Sequence, residues 1–143
     1  MVDECTREAL AIDVAGSIWS PRVVEVLARL VSLHGPPRHI RSDNGPGFVS
    51  KAVLKWVTES GIDRAHIDPG KPWQNGSNES VNGKFRDECL GMEWFRSRSE
   101  ARVIIEKWRQ DHHSVRPHSS LGCQAPHEYK ARLLESGSTP DGV

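Results

Sequence analysis

Residues 20–46, SPRVVEVLARLVSLHGPPRHIRSDNGP, decide the fold class. Ser20-Pro21 reads as a helix start, with serine as the cap and proline in the first turn, where its missing N–H costs nothing. Val23, Val26, Leu27, Leu30 and Val31 follow at helical spacing and form one apolar face. Gly35 and the Pro36-Pro37 pair stop the helix. His39-Ile40-Arg41-Ser42 is short and β-like, and Asp43-Asn44-Gly45-Pro46 is a turn by composition. A helix that hands over to a strand within a few residues is the working unit of an α/β fold.

The same alternation continues on both sides. Residues 50–60 read as a second helix burying Val53, Trp56 and Val57, with Gly61 as its stop, and residues 62–67 as another short strand. Residues 68–78, rich in Pro, Gly and Asn, read as a loop, after which a third helix carries Glu79, Val81, Phe85 and Cys89 toward Leu90. Residues 99–113 form a further amphipathic helix with Ala101, Ile104, Ile105 and Trp108 along one stripe. Pro126 opens a last helix through Tyr129 to Leu134. Upstream, residues 10–14 read as a strand preceded by a polar turn around Thr6-Arg7-Glu8, with Met1-Val2 as the end of another. The expected organisation is one domain over residues 1–130 and a disordered tail over 131–143.

Composition narrows the function classes. The 19 Lys and Arg balance the 19 Asp and Glu, which argues against a protein whose whole surface grips nucleic acid. Residues 71–116 carry nine basic against seven acidic side chains, only a weak local bias. Cys5, Cys89 and Cys123 are far apart and odd in number, so they suggest neither a disulfide framework nor a thiolate zinc site. No apolar run approaches the roughly 18 residues of a membrane span, and no signal-peptide pattern opens the chain. A cytoplasmic, bacterial setting without membrane partners is the expectation, with association to the nucleoid when bound to DNA.

Two carboxylates stand in positions suited to metal chemistry. Asp43 closes a predicted strand and Glu79 lies near the start of a predicted helix, with 35 residues between them. A strand end and a helix start can converge at a sheet edge, and Mg²⁺ typically takes one or two carboxylates with phosphate and water. Each residue also has a plainer reading: Asp-Asn-Gly is a common turn, and acidic residues favour the first helical turn.

Five stretches in order reach further: DECTRE (3–8), RSDNGP (41–46), PGKPWQNG (69–76), ESVNGKFRDECL (79–90) and RPHSSLG (116–122). Together they resemble the catalytic core of bacterial insertion-sequence transposases, the DDE recombinases related to retroviral integrases, over nearly the whole chain up to Tyr129. The resemblance implies an RNase H-like mixed sheet flanked by helices. It makes Asp43 the second catalytic aspartate and Glu79 the catalytic glutamate, both ligands of Mg²⁺ or Mn²⁺. The implied reaction cuts a phosphodiester at a transposon end, and the freed 3′-hydroxyl attacks target DNA. DNA (transposon ends and target) and further transposase protomers are the implied partners.

The family's first catalytic aspartate belongs on the first, central strand, upstream of the Asp3 motif, and this chain does not carry it. Neither Asp3 nor Asp13 takes its place, so the expectation is a core lacking that strand. Gly47 also stands where the family usually has glutamate. Two readings follow: a transposase core incomplete in this chain, or a catalytically inactive remnant that binds DNA or associates with transposase.

The expected DNA-contacting set is Asn44, Lys71, Gln74, Asn75, Asn82, Lys84, Arg86 and Arg116. Gln74 and Asn75 suit either DNA contact or a polar loop holding Glu79. Asn82 and Gly83 share the Glu79 helix face, with Arg86 one further turn along. Lys84 and Arg86 suit phosphate contact or a solvated face, and Arg116 either touches DNA or orients a C-terminal turn. Trp56 and Trp108 fall on apolar stripes, as core residues do. His112, His113, His118 and Cys123 invite a zinc reading, but their spacing fits surface or packing roles better. No helix-turn-helix is evident, so recognition of transposon ends must reside elsewhere.

Overall fold

The computed structural model describes residues 1–42, 50–65 and 76–137. The chain divides into two compact units, one of residues 1–14 with 77–141 and the other built on residues 15–76.

The second of these is a strand–helix–strand unit with a helix in front. Helix α1 (Ser20–His34) buries Val23, Val26, Leu27 and Leu30, the face anticipated from their spacing. Its cap is Trp19 rather than Ser20, because the Trp19 carbonyl already accepts the first helical bond, from the Val23 amide at 3.1 Å. Ser20 is thus inside the helix. Gly35 closes α1 at φ 82°, a left-handed backbone that glycine alone adopts without a Cβ penalty.

Strand β1 (His39–Arg41) pairs in parallel with β2 (Asp63–Ala65), in the register His39 to Asp63, Ile40 to Arg64 and Arg41 to Ala65. Parallel neighbours need a crossover, and helix α2 (Lys51–Glu59) lies within it. The Ser50 hydroxyl caps α2 by accepting from the Val53 amide at 3.3 Å. Val53 and Val57 are buried on α2, whereas Trp56 is only half-buried, short of the full burial anticipated. The second strand is shorter than residues 62–67: Ile62 is buried just ahead of it, and residues 66–67 lie outside the described residues.

In the other unit, the expected strand over residues 10–14 is not formed. A single antiparallel bridge joins Val2 to Ala9, with the Ala11 amide 3.4 Å from the Met1 carbonyl. Carbonyls that a ladder would use are met instead by side chains of helix α4 (Arg98–Ser114). Arg109 donates to Ala9 at 3.0 Å, His113 Nε2 lies 2.8 Å from the same oxygen, and Arg102 donates to Val14 at 3.2 Å. Backbone acceptors need partners, and long side chains have supplied them here in place of a neighbouring strand.

Helix α3 (Gly76–Phe85) starts within the expected loop 68–78; residues 68–75 of that loop lie outside the described residues. It runs directly into a π-helical turn, Arg86–Leu90, closed by the Gly91 amide on the Arg86 carbonyl at 2.7 Å. Buried Cys89, Ala101 and Ile105 form one core cluster, with Ile12, Val14, Phe85, Phe95, Ile104 and Trp108 packed around them. Ser97 caps α4 by accepting from the Glu100 amide at 3.1 Å. Helix α5 (Pro126–Glu135) packs on α4 and carries helical structure past residue 130, the boundary drawn from sequence. The last six residues, 138–143, lie outside the described residues. Among the described residues, no helix is long and apolar enough to cross a membrane.

Candidate active site

Glu79 sits in the first turn of α3, where the unpaired amides of a helix start favour a carboxylate. It is exposed, and among the described residues no ion pair engages it. Val81 turns inward and is buried, which leaves Glu79 and Asn82 toward solvent. Arg86, one further turn along, is also exposed and begins the π-helical turn. Glu79, Asn82 and Arg86 therefore present one acid, one amide and one cation in a row. Asp43, Asn44, Lys71, Gln74 and Asn75 lie outside the described residues.

Lys84 is placed elsewhere. Five positions past Glu79, it is rotated about 140° around the helix. Half-buried, it brings its charge near His112 and His118, where it adds to the burial that depresses the pKa of both. Arg116 likewise turns inward, to an ion pair with Glu88 in the π-helical turn. The Trp108 indole N–H donates to the same carboxylate at 3.2 Å. The Arg116 hydrogen bond holds the Glu88 carboxyl below its usual range, with burial opposing and the Trp108 bond assisting. The Arg116 side chain, 36% exposed, thus ties the C-terminal turn to the end of the α3 run.

The histidines form a packed cluster. His112 is 2% exposed, stacks on Trp108 at 5.0 Å between ring centroids, and meets His118 edge-on at 4.7 Å. Burial pushes the His112 imidazole down to about 4, and the charges of His118 and His113 add to the effect. Both His112 ring nitrogens and His118 Nε2 are buried, with no close hydrogen-bond partner among the described residues. Cys123 is exposed, and among the described residues no three His, Cys, Asp or Glu side chains are grouped to hold a metal ion.

One anchor of α3 carried no role in the sequence reading. Arg7, in the turn of the N-terminal hairpin, donates from Nη1 to the hydroxyl of Ser77, in the first turn of α3. The stretch DECTRE stood out by resemblance alone, since a contact across 70 positions has no local signature.

The integrase core domain family matches the chain twice, over residues 1–72 and over residues 60–126. The chain belongs to that family. Its integrase core is 44% identical over 131 residues to the insertion element IS476 uncharacterized 39.2 kDa protein of Xanthomonas euvesicatoria, covering 92% of this chain and 38% of that protein. It is 41% identical over 140 residues to the insertion element IS407 uncharacterized 31.7 kDa protein of Burkholderia multivorans, covering 98% of this chain and 50% of that protein. The chain thus spans half or less of the length of these relatives.

The fold agrees at greater distance. The HTLV-2 integrase catalytic core domain, solved in complex with magnesium in a trimeric form, superposes with a TM-score of 0.63 at 18% identity, over 90% of this chain and 80% of that one. The BIV integrase catalytic core gives 0.65 at 17% identity, over 87% and 79%. The RNase H-like fold class is therefore that of integrase catalytic cores, and within it the described sheet is the parallel pair β1–β2. The first family match contains Asp43 and Asn44, the second contains Gln74, Asn75 and Glu79, and Lys71 falls in both.

Proposed function

We propose that this integrase core is the DNA-joining part of an insertion-sequence transposase. In that role it cleaves a phosphodiester at a transposon end and transfers the strand to target DNA. The observation that carries the proposal is Glu79, an exposed carboxylate in the first turn of α3, unpaired among the described residues, within a chain of the integrase core family.

The donor chemistry fits a hard divalent cation. Glu79 offers oxygen to solvent, and the thiolate and imidazole groupings that suit zinc are not assembled among the described residues. Asp43 and Glu79 would hold Mg²⁺ or Mn²⁺. A bound cation of this kind supplies charge stabilisation at the attacking and leaving oxygens of phosphodiester chemistry. The magnesium in the HTLV-2 core supports the assignment by analogy of fold.

The remaining roles belong to this chain's own side chains. Arg86 and Asn82, beside Glu79, contact phosphate oxygens and position the duplex without reading its sequence. Asn44, Lys71, Gln74 and Asn75 complete the DNA-contacting set. Lys84 and Arg116 serve the packing around the histidines and Glu88. The trimeric and dimeric forms in which the HTLV-2 core was solved support assembly of several protomers on the DNA ends.

The test is strand transfer of pre-processed transposon-end DNA by the full protein containing this chain, with Mg²⁺. Asp43→Asn and Glu79→Gln should each abolish transfer while leaving DNA binding in place. Transfer that survives either substitution refutes the assignment. A wild-type protein that binds the ends but never joins them would make the chain a DNA-binding remnant.

A further inference from the structure

The turn of the N-terminal hairpin is built more firmly than a surface turn needs. The Asp3 carboxylate accepts from the amides of Cys5 at 2.8 Å and Thr6 at 3.0 Å, and the Asp3 amide donates to the Glu8 carbonyl at 2.9 Å. Thr6 is fully buried and its hydroxyl donates to Glu8 at 3.2 Å. Glu8, also buried, pairs with Lys130 of α5 at 2.8 Å. A buried carboxylate satisfied on two sides fixes the turn against the helices behind it.

Within this rigid frame Arg7 adopts φ 61°, a left-handed conformation uncommon for residues other than glycine. Such a backbone is strained and persists only where its surroundings over-determine it. From that position the Arg7 guanidinium reaches Ser77, two residues before Glu79.

Electrostatics does not favour the contact by itself. A cation at a helix N-terminus opposes the macrodipole, so a stabilising side chain there would be acidic. What the contact supplies is location. The first turn of a helix has unpaired amides and frays most readily, and Glu79 is carried on that turn. The far end of the same helical run is separately locked, through Trp108 and Arg116 on Glu88.

We propose that Arg7 is a positioning residue for Glu79, clamping the first turn of α3 through Ser77 so that the carboxylate is held ready for the divalent cation. The proposal rests on the metal-ligand role given to Glu79 above. Removing groups that orient a metal ligand costs about 10–100-fold in metal affinity or activity.

The experiment is Mn²⁺ titration of the full protein followed by electron paramagnetic resonance, alongside the Mg²⁺ concentration for half-maximal strand transfer. Arg7→Ala and Ser77→Ala should each weaken Mn²⁺ binding by about 10-fold or more, and the double variant no further, because both remove one contact. Arg7→Lys, which keeps a cationic donor, should recover most of the loss. Ser77→Ala deletes only a hydroxyl, so it keeps the test open if Arg7→Ala fails to fold. Unchanged Mn²⁺ affinity in Ser77→Ala overturns the clamp, as does additivity of the two variants. Glu79→Gln separates the two ideas. If it abolishes Mn²⁺ binding while Ser77→Ala does nothing, the clamp alone is wrong. If it leaves Mn²⁺ binding intact, the metal-ligand role of Glu79 is wrong.

Discussion

Lowering the pH from 7 to 5 should destabilise this protein through His112. Its ring is 2% exposed, its nitrogens meet no strong hydrogen-bond partner among the described residues, and burial pushes its pKa down to about 4 from an ordinary 6.5. The groups facing it are His118 from the C-terminal turn, His113 on its own helix, Lys84 from α3 and the Arg7 backbone. The first three disfavour a proton on the ring, and only the last favours one. Unfolded, the imidazole takes its proton near 6.5; folded, it resists until about 4. Between those values the unfolded chain binds more protons, so stability falls as pH falls, and the loss levels off below about 4. At about 1.36 kcal/mol per pH unit, linkage gives a loss of about 2 kcal/mol between pH 7 and pH 5. His118 and His113, also depressed by burial, change in the same direction. Glu88, held below its usual carboxylate range, loses its contribution only beneath this window.

Urea unfolding followed by circular dichroism at pH 7, 6 and 5 measures the effect. His112→Phe keeps the ring on Trp108 and removes the titrating nitrogens. It should flatten the pH dependence by about 2 kcal/mol, with stability at pH 7 unchanged or raised because two unsatisfied polar atoms are gone. A wild-type stability that is flat from pH 7 to 5 refutes the reasoning, and so does a slope that survives His112→Phe.

Three further outcomes are expected. Lys130→Ala strands the Glu8 carboxylate, 8% exposed, beside a partly accessible partner site, and should cost about 2–3 kcal/mol in chemical denaturation; Glu8→Gln combined with Lys130→Met should recover part of it. Arg116→Ala removes a pair whose side chains are 36% and 32% exposed, so it should cost only about 0.5–1 kcal/mol. By removing a nearby positive charge it should also raise the His118 pKa in an NMR titration, while the salt dependence of DNA binding stays the same. Ser50→Ala deletes the α2 cap and should lower stability by about 1 kcal/mol, read from the urea midpoint at constant slope.

Local chemistry made much of the architecture legible. The apolar spacing of Val23 to Leu30, the glycine stop at Gly35, the β-like His39-Ile40-Arg41 and the second helix within residues 50–60 all act within a turn or two of chain, and each stands where it was read. The same holds for Glu79, whose first-turn position follows from the polar, glycine-rich approach to α3. The strand expected over residues 10–14 does not form because its alternation says nothing about what will meet its carbonyls; Arg109 reaches Leu10 and Arg102 reaches Val14, from about ninety to a hundred residues away.

The same limit applies to side chains whose role depends on direction. Lys84 and Arg116 look like phosphate contacts in one dimension, since cationic residues near a candidate site carry no sign of which way they point. Helix rotation turns Lys84 toward the histidines, and the Glu88 carboxylate, partly buried in the π-helical turn, pairs with the half-exposed Arg116. Arg7 is the opposite case: a turn residue with no visible task until folding places Ser77 beside it. The sequence alone determined the family, the order of helices and strands from α1 onward, and the carboxylate on α3, because these follow from short-range spacing and ordered motifs. Tertiary structure alone decided which partners Lys84 and Arg116 meet and what holds the Glu79 turn, because those depend on contacts between residues tens of positions apart.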